Sequence, residues 1–211
     1  KNFRTEGATM LAAAIHLSRG TPYIYMGEEI GMVDPDFDSM ADYVDVESIN
    51  AYQELLAAGK SEREAFAIIQ AKSRDNSRTP MQWDASENAG FTTGTPWLKA
   101  GKTYKEINVE NEKSGKIFRF YQDLIQLRKA LPLIAEGDYK ATYQDSDKVY
   151  AFERQLDNQK LLVLNNFFPE EVTIQLPADY QTGKVLISNY DEVELTENLV
   201  LQPYQTLAIV L

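Results

Sequence analysis

Met10, Leu11, Ala14, Ile15 and Leu17 recur at helical spacing, which predicts a helix over residues 5–19 with Gly20 as its stop. Pro22 excludes helix from the next stretch. There, Tyr23-Ile24-Tyr25-Met26 predicts a short strand buried on both faces, ending at Gly27-Glu28-Glu29. An acidic loop follows, then two helices. One covers about 46–58 and is broken by Gly59; a Ser61/Glu64 capping box opens the second. Residues 85–112 form a long irregular stretch rich in Gly, Thr, Asn and Pro, and Phe91, Trp97 and Tyr104 predict that it is ordered. "SGKIFRFYQDLIQLRKALP" carries a broad apolar stripe, predicting a helix over 114–131 stopped by Pro132.

After Pro132 the period changes. Short runs rich in β-branched and aromatic residues ("GDYKATYQ", "KVYAFERQL", "QKLLVLNNF", "EEVTIQLP", "GKVLISNY", "VELTENLVLQPYQTLAIVL") alternate with turn residues. They predict an antiparallel β-sandwich over residues 133–211, with an α/β part over 1–132. One buried strand makes no sheet, so the α/β part is expected to complete itself with strands from a longer parent chain or from a partner. The chain also opens directly in a helical pattern, as if cut from something longer. Residues 1–112 are then expected to be partly rearranged, mobile, or packed against a second copy. In a barrel of alternating strands and helices, functional groups gather at C-terminal strand ends and the loops after them. That points to Glu28, Glu29 and residues 31–112.

Composition narrows the function. Of 211 residues 44% are hydrophobic, enough for a core, and twelve Tyr, nine Phe and two Trp enrich it in aromatics. A net charge of −11 with no basic cluster argues against nucleic acid and anionic membranes as partners. No apolar run approaches a membrane span. The absence of Cys excludes disulfides and thiolate metal sites, and a single His disfavours a histidine zinc site or a Ser-His-Asp triad. No cofactor is expected. Asp34, Asp36, Asp38, Asp42 and Asp45 are spaced like calcium-loop ligands, but Ser39 stands where the loop needs Gly and Asp45 where it needs Glu. No metal site is therefore assigned. His16 reads as helix packing. Glu28 and Glu29 are adjacent on a strand end and point to opposite sides, so they do not flank one bond. In residues 133–211, Tyr143, Tyr150 and Phe152 alternate as core residues do, and no exposed aromatic row suggests a sugar platform.

The most specific stretches are "GTPYIYMGEEIGM", "RDNSRTPMQWD", "AGFTTGTPWL" and "YKEINVE". Together they closely resemble the exo-acting α-glucosidases of the α-amylase superfamily. That group includes oligo-1,6-glucosidase, dextran glucosidase (glucan 1,6-α-glucosidase) and trehalose-6-phosphate hydrolase. The resemblance covers essentially the whole chain. It implies the C-terminal part of a (β/α)8 barrel, with 23–26 as the last strand, a long helical loop and the last helix, followed by a β-domain. It implies retaining hydrolysis that removes α-1,6-linked glucose from the non-reducing ends of isomalto-oligosaccharides or dextran fragments.

The family's three catalytic carboxylates would lie upstream of Lys1, so no catalytic residue is assigned here and this chain alone is expected to be inactive. Arg74 matches the arginine that reaches subsite −1, hydrogen-bonding a sugar hydroxyl and a catalytic carboxylate. Asp75, Asn76 and Arg78 would hold the loop, and Trp83 would pack it. Glu47 matches a loop carboxylate that contacts the +1 sugar. Plainer readings stand beside these: Arg74 and Asp75 as a surface pair, and Glu47 as an ordinary N-terminal helix glutamate. Trehalose-6-phosphate hydrolysis and a non-catalytic carbohydrate-binding or interaction module are the alternative functions. An oligosaccharide is the expected partner of the parent, self-association is expected of the truncated chain, and the expected location is cytoplasmic.

Overall fold

The computed structural model describes residues 3–211. In chain order come α1 (Arg4–His16), α2 (Val46–Ala57), α3 (Glu62–Lys72), α4 (Val109–Glu112), α5 (Lys116–Ala130) and α6 (Pro132–Glu136). Strands β1 (Asp138–Thr142), β2 (Val149–Leu156), β3 (Gln159–Asn166) and β4 (Val172–Gln175) follow. Helix α7 (Ala178–Gln181) precedes β5 (Lys184–Ser188), β6 (Asn198–Leu201) and β7 (Thr206–Val210). These elements make two compact units. One joins the stretch up to Ile24 with Lys116–Leu211; the other is Tyr25–Gly115.

In the first unit a five-stranded antiparallel sheet has the order β1-β2-β3-β7-β5, with a second sheet of β4 and β6. Strand side chains alternate between faces. On β3, Leu161 and Val163 join one core while Leu162 and Leu164 join the other. A central strand covered on both faces must be apolar throughout, which is why "LLVL" shows no alternation. The first core packs Phe152, Ile187 and Ala208 against Ala13 of α1 and Leu17 just after it, Phe120 and Leu124 of α5, and Leu133 and Ile134 of α6. The second closes Val149, Ala151, Leu207 and Ile209 over Ile174, Leu199 and Leu201 of the small sheet. Pro132 ends α5 as expected and also opens α6 at its first turn, where its missing N–H costs nothing.

Helix α1 stops at His16, short of the expected end, and Gly20 adopts a left-handed φ of 105° beyond it. Its free carbonyls are taken by arginines. Arg128 donates Nη1 to the carbonyls of His16 and Ser18, both at 2.8 Å, and Nη2 to that of Gly20. Arg154 Nη1 adds the carbonyl of Leu17 at 3.4 Å. Cations at a helix C-terminus satisfy both the orphan carbonyls and the dipole. His16 is buried on the same helix, its ring meeting Tyr121 edge-to-face with the centroids 5.4 Å apart.

Two expectations fail in this region. Tyr23, Ile24, Tyr25 and Met26 join no ladder, and Tyr23 is 83% exposed. A strand is held by its neighbour's hydrogen bonds, and every ladder among the described residues lies within β1–β7. Tyr150, read as core, stands exposed with Tyr139, Phe167 and Phe168. β1 is an edge strand, and these rings gather where it meets the next one: Tyr139 stacks on Phe152 at 5.3 Å, and Tyr150 meets Phe167 edge-on at 6.1 Å.

In the second unit, α2 and α3 begin where capping places them. Asp45 caps α2 by accepting from Ser48 N, and Ser61 with Glu64 completes the expected box on α3. Ser61→Ala removes that box and is expected to lower Tm by roughly 2–4 °C, read by thermal unfolding. Phe37, Tyr43 and Ile69 form the centre of a small core with Tyr52, Leu55 and Phe66 around it. Burial, followed by the surrounding aspartates Asp34, Asp42, Asp75 and Asp36, pushes the Tyr43 hydroxyl up to about 12. The long stretch before α4 is ordered through amides more than rings. Gln82 Nε2 donates to the carbonyl of Ile107, and Asn108 Nδ2 to that of Tyr104 at 2.8 Å. Phe91 and Trp97 are exposed. Asn88, Ala89 and Gly90 are all left-handed, and the Asp84 carboxylate fills the space a side chain on Gly90 would need.

Candidate functional site

The polar cluster after α3 folds as a 3-10 turn, Arg74–Ser77, capped by the Ser73 hydroxyl, which accepts from Asp75 N. An extended Ser73 ends α3 and swings the chain away. The turn is held from several sides. Asp75 is wholly buried, and its Oδ2 accepts the backbone N–H of Val44 and of Asp45, both at 2.8 Å. Asn76 Nδ2 donates to the carbonyl of Gln70 at 2.8 Å, and Tyr25 Oη to that of Ser77 at 2.9 Å. Trp83, expected to pack the turn, is half-exposed.

The two candidate residues meet. Arg74 Nη2 lies 2.9 Å from Glu47 Oε2 and 2.8 Å from Asp45 Oδ1. It does not form the surface pair with Asp75 considered above: that carboxylate turns inward, with Oδ1 3.6 Å from Arg78 Nη1. Glu47 sits in the first turn of α2, where the helix dipole favours an acid, and its side chain is 74% exposed. Asp45, which sequence reasoning weighed only as a calcium ligand, is the buried member of the trio. Its one available signal was its place directly before "VESIN", an N-cap position. Together Asp45, Glu47, Arg74 and Lys72 line a cavity of about 150 Å³ floored by Ala51 and Ile69. A larger cavity of about 380 Å³ lies beside the β1–β2 hairpin in the first unit, but it lacks such a charged cluster.

Burial works against the charged form of Asp45, yet hydrogen bonds from Ser48 and Arg74 hold its carboxyl below the ordinary value. The same pairing, led by Asp45 and joined by Glu47, raises Arg74. A group whose folded value is depressed stabilises above its unfolded value and loses that contribution as pH falls through the folded one. The Asp45 contribution is therefore complete at neutral pH and fades only below about pH 4. Urea midpoints of the parent and Asp45→Asn, followed from pH 7 to 3, are expected to converge at the acid end.

The other acids near this cluster are already engaged. Glu28 accepts from Tyr25 N and Glu29 from Gly27 N, so both brace the backbone. Asp42 pairs with Lys99 at 2.8 Å, and Lys102 reaches Asp38 at 2.6 Å and Asp36 at 3.5 Å. Of the carboxylates in the calcium-like spacing, Asp36, Asp38, Asp42 and Asp45 thus bind lysines, an arginine or backbone N–H groups. Among the described residues no cluster of metal-ligating side chains is found.

Residues 1–137 match the family described as "Alpha amylase, catalytic domain", and residues 149–208 match "Alpha-amylase SusG C-terminal domain". The chain belongs to the alpha-amylase family, and its architecture is that family's barrel end followed by a sheet domain.

Among particular proteins, it is 45% identical over 211 residues to trehalose-6-phosphate hydrolase of Bacillus subtilis, covering 97% of this chain and 38% of that protein. It is also 45% identical to oligo-1,6-glucosidase of Parageobacillus thermoglucosidasius, covering 96% of this chain and 37% of the relative. The crystal structure of Bacillus licheniformis trehalose-6-phosphate hydrolase superposes with a TM-score of 0.93 at 46% identity, over 99% of this chain and 39% of that one. The chain thus spans little more than a third of the length of these relatives.

Proposed function

We propose that this chain is the C-terminal portion of a retaining α-glucosidase. The whole enzyme releases α-1,6-linked glucose from the non-reducing ends of isomalto-oligosaccharides or dextran fragments. The observation that carries this reading is the Arg74–Glu47 pair at the mouth of a cavity of one-sugar scale, in a chain of the alpha-amylase family. In it, Arg74 donates to a sugar hydroxyl and to a catalytic carboxylate at subsite −1, keeping that carboxylate ionised and oriented. Glu47 accepts from a hydroxyl of the +1 sugar. One carboxylate attacks the anomeric carbon, another protonates the leaving oxygen, and water resolves the glycosyl-enzyme. Those carboxylates belong to the rest of the barrel. Support comes from the acids around Arg74, which are committed to backbone N–H groups, lysines or arginine.

The second reading is trehalose-6-phosphate hydrolysis, favoured by equal identity to a relative of that name. Charge supports the first: at the cavity Asp45 and Glu47 offset Lys72 and Arg74, which suits a neutral glucoside better than a phosphate. Isomaltose and trehalose 6-phosphate offered to the intact enzyme test this. Faster glucose release from isomaltose is expected; the reverse order would select the second reading.

The domain division falls near Leu133 in this proposal, the working location is the cytoplasm, and no cofactor takes part. Among the described residues no helix is long and apolar enough to cross a membrane. Leu11, Ile15 and Tyr23 are exposed apolar groups that the whole barrel would cover, so the 211-residue chain is proposed to self-associate through them. Sedimentation of the chain over a concentration series reads this as a rising mass; a constant monomer mass would refute it.

A further inference from the structure

Asp45 uses its two oxygens differently. Oδ2 caps α2 by accepting from Ser48 N at 3.1 Å, while Oδ1 lies 2.8 Å from Arg74 Nη2. Capping alone needs no charge, since Asn and Ser cap as well as Asp. A buried carboxylate is costly unless it is paired, and here the partner is Arg74, with Arg78 Nη1 at 3.5 Å. The Asp45 side chain is 5% exposed against 54% for Arg74. Its backbone is pinned from below by the buried Asp75 through the N–H groups of residues 44 and 45. Asp75 Oδ1 makes no hydrogen bond of its own, so that carboxylate serves chiefly to hold this segment.

We infer that Asp45 is the positioning residue for Arg74: its buried carboxylate anchors Nη2 so that the rest of the guanidinium is presented to substrate. The inference rests on the reading of Arg74 as a substrate contact. It also divides the labour of the two acids that share one nitrogen. Glu47 is on the surface and can exchange Arg74 for a sugar hydroxyl; Asp45 is fixed and keeps Arg74 in place while that happens.

The test uses the intact enzyme with isomaltose. Asp45→Ser and Asp45→Asn keep a capping side chain and remove the charge. Each is expected to lower kcat/KM by roughly 10–100-fold with Tm within a few degrees of the parent. In an Arg74→Ala background, Asp45→Ser is expected to change kcat/KM by less than about 2-fold, because its effect passes through Arg74. An equal loss in both backgrounds, or a parental kcat/KM in Asp45→Ser, would overturn the inference. A crystal structure of intact Asp45→Ser reads the geometry without any substrate. A displaced or disordered Arg74 guanidinium is expected, and an unmoved one would overturn the assignment. If the intact enzyme cleaves no α-glucoside, the function proposed above fails while this structure still decides the role of Asp45.

Discussion

Arg154→Ala is expected to destabilise the chain by about 3–5 kcal/mol, read from urea unfolding. Arg154 is wholly buried, yet it has no carboxylate partner among the described residues. Its charge is instead solvated by carbonyls. Nε donates to that of Asp138 at 3.0 Å, Nη1 to those of Ile134 at 2.6 Å and Leu17 at 3.4 Å, and Nη2 to that of Gly137. These carbonyls lie just after α1, in and just after α6, and at the start of β1. Burial, followed by the like charges of Arg19 and Arg128, pulls Arg154 below its ordinary value. Removing it orphans the carbonyls and leaves a cavity, and each effect is costly alone. Arg154→Met fills the volume without the donors and is expected to recover part of the loss. A loss below about 1 kcal/mol for Arg154→Ala would mean that water replaces the guanidinium at no penalty.

Arg74→Ala in the intact enzyme is expected to lower kcat/KM for isomaltose by about 10²–10³-fold, with a fall in Tm of only a few degrees. The buried Asp45 loses a partner but keeps Ser48 and, at 3.5 Å, Arg78, while the proposed contacts of Arg74 with sugar and catalytic carboxylate form at the reacting centre. Arg74→Lys is expected to recover only part of the activity, because a point charge cannot serve Asp45, Glu47 and a ligand at once as a planar fork can. A variant with parental kcat/KM and a large fall in Tm would instead make Arg74 a structural residue.

Local chemistry made much of this fold legible. The Ser61/Glu64 box, the stripe of α5 and the unbroken apolar run of β3 each carry their own cause, and each lies where its pattern placed it. What stayed hidden depends on distant partners. Tyr23–Met26 has strand composition, but its hydrogen bonds require neighbours that no local pattern supplies. Arg154 lies on the same strand face as Phe152, so period-two reading points it inward, yet a charged residue reads as solvent-facing until the carbonyls around it are seen. The site was legible in part. Arg74 and Glu47 stand out through family resemblance, but Asp45 joins them across 29 positions of chain, and an N-cap aspartate gives no sign of such a partner.

The most direct measurement is glucose release from isomaltose by the purified 211-residue chain beside the intact enzyme. Release by the intact enzyme alone is the expected result, with the reacting carboxylates outside these residues and Arg74 and Glu47 as supporting contacts. Release by the chain itself would contradict this, since the nucleophile and the acid would then have to be among the carboxylates described here.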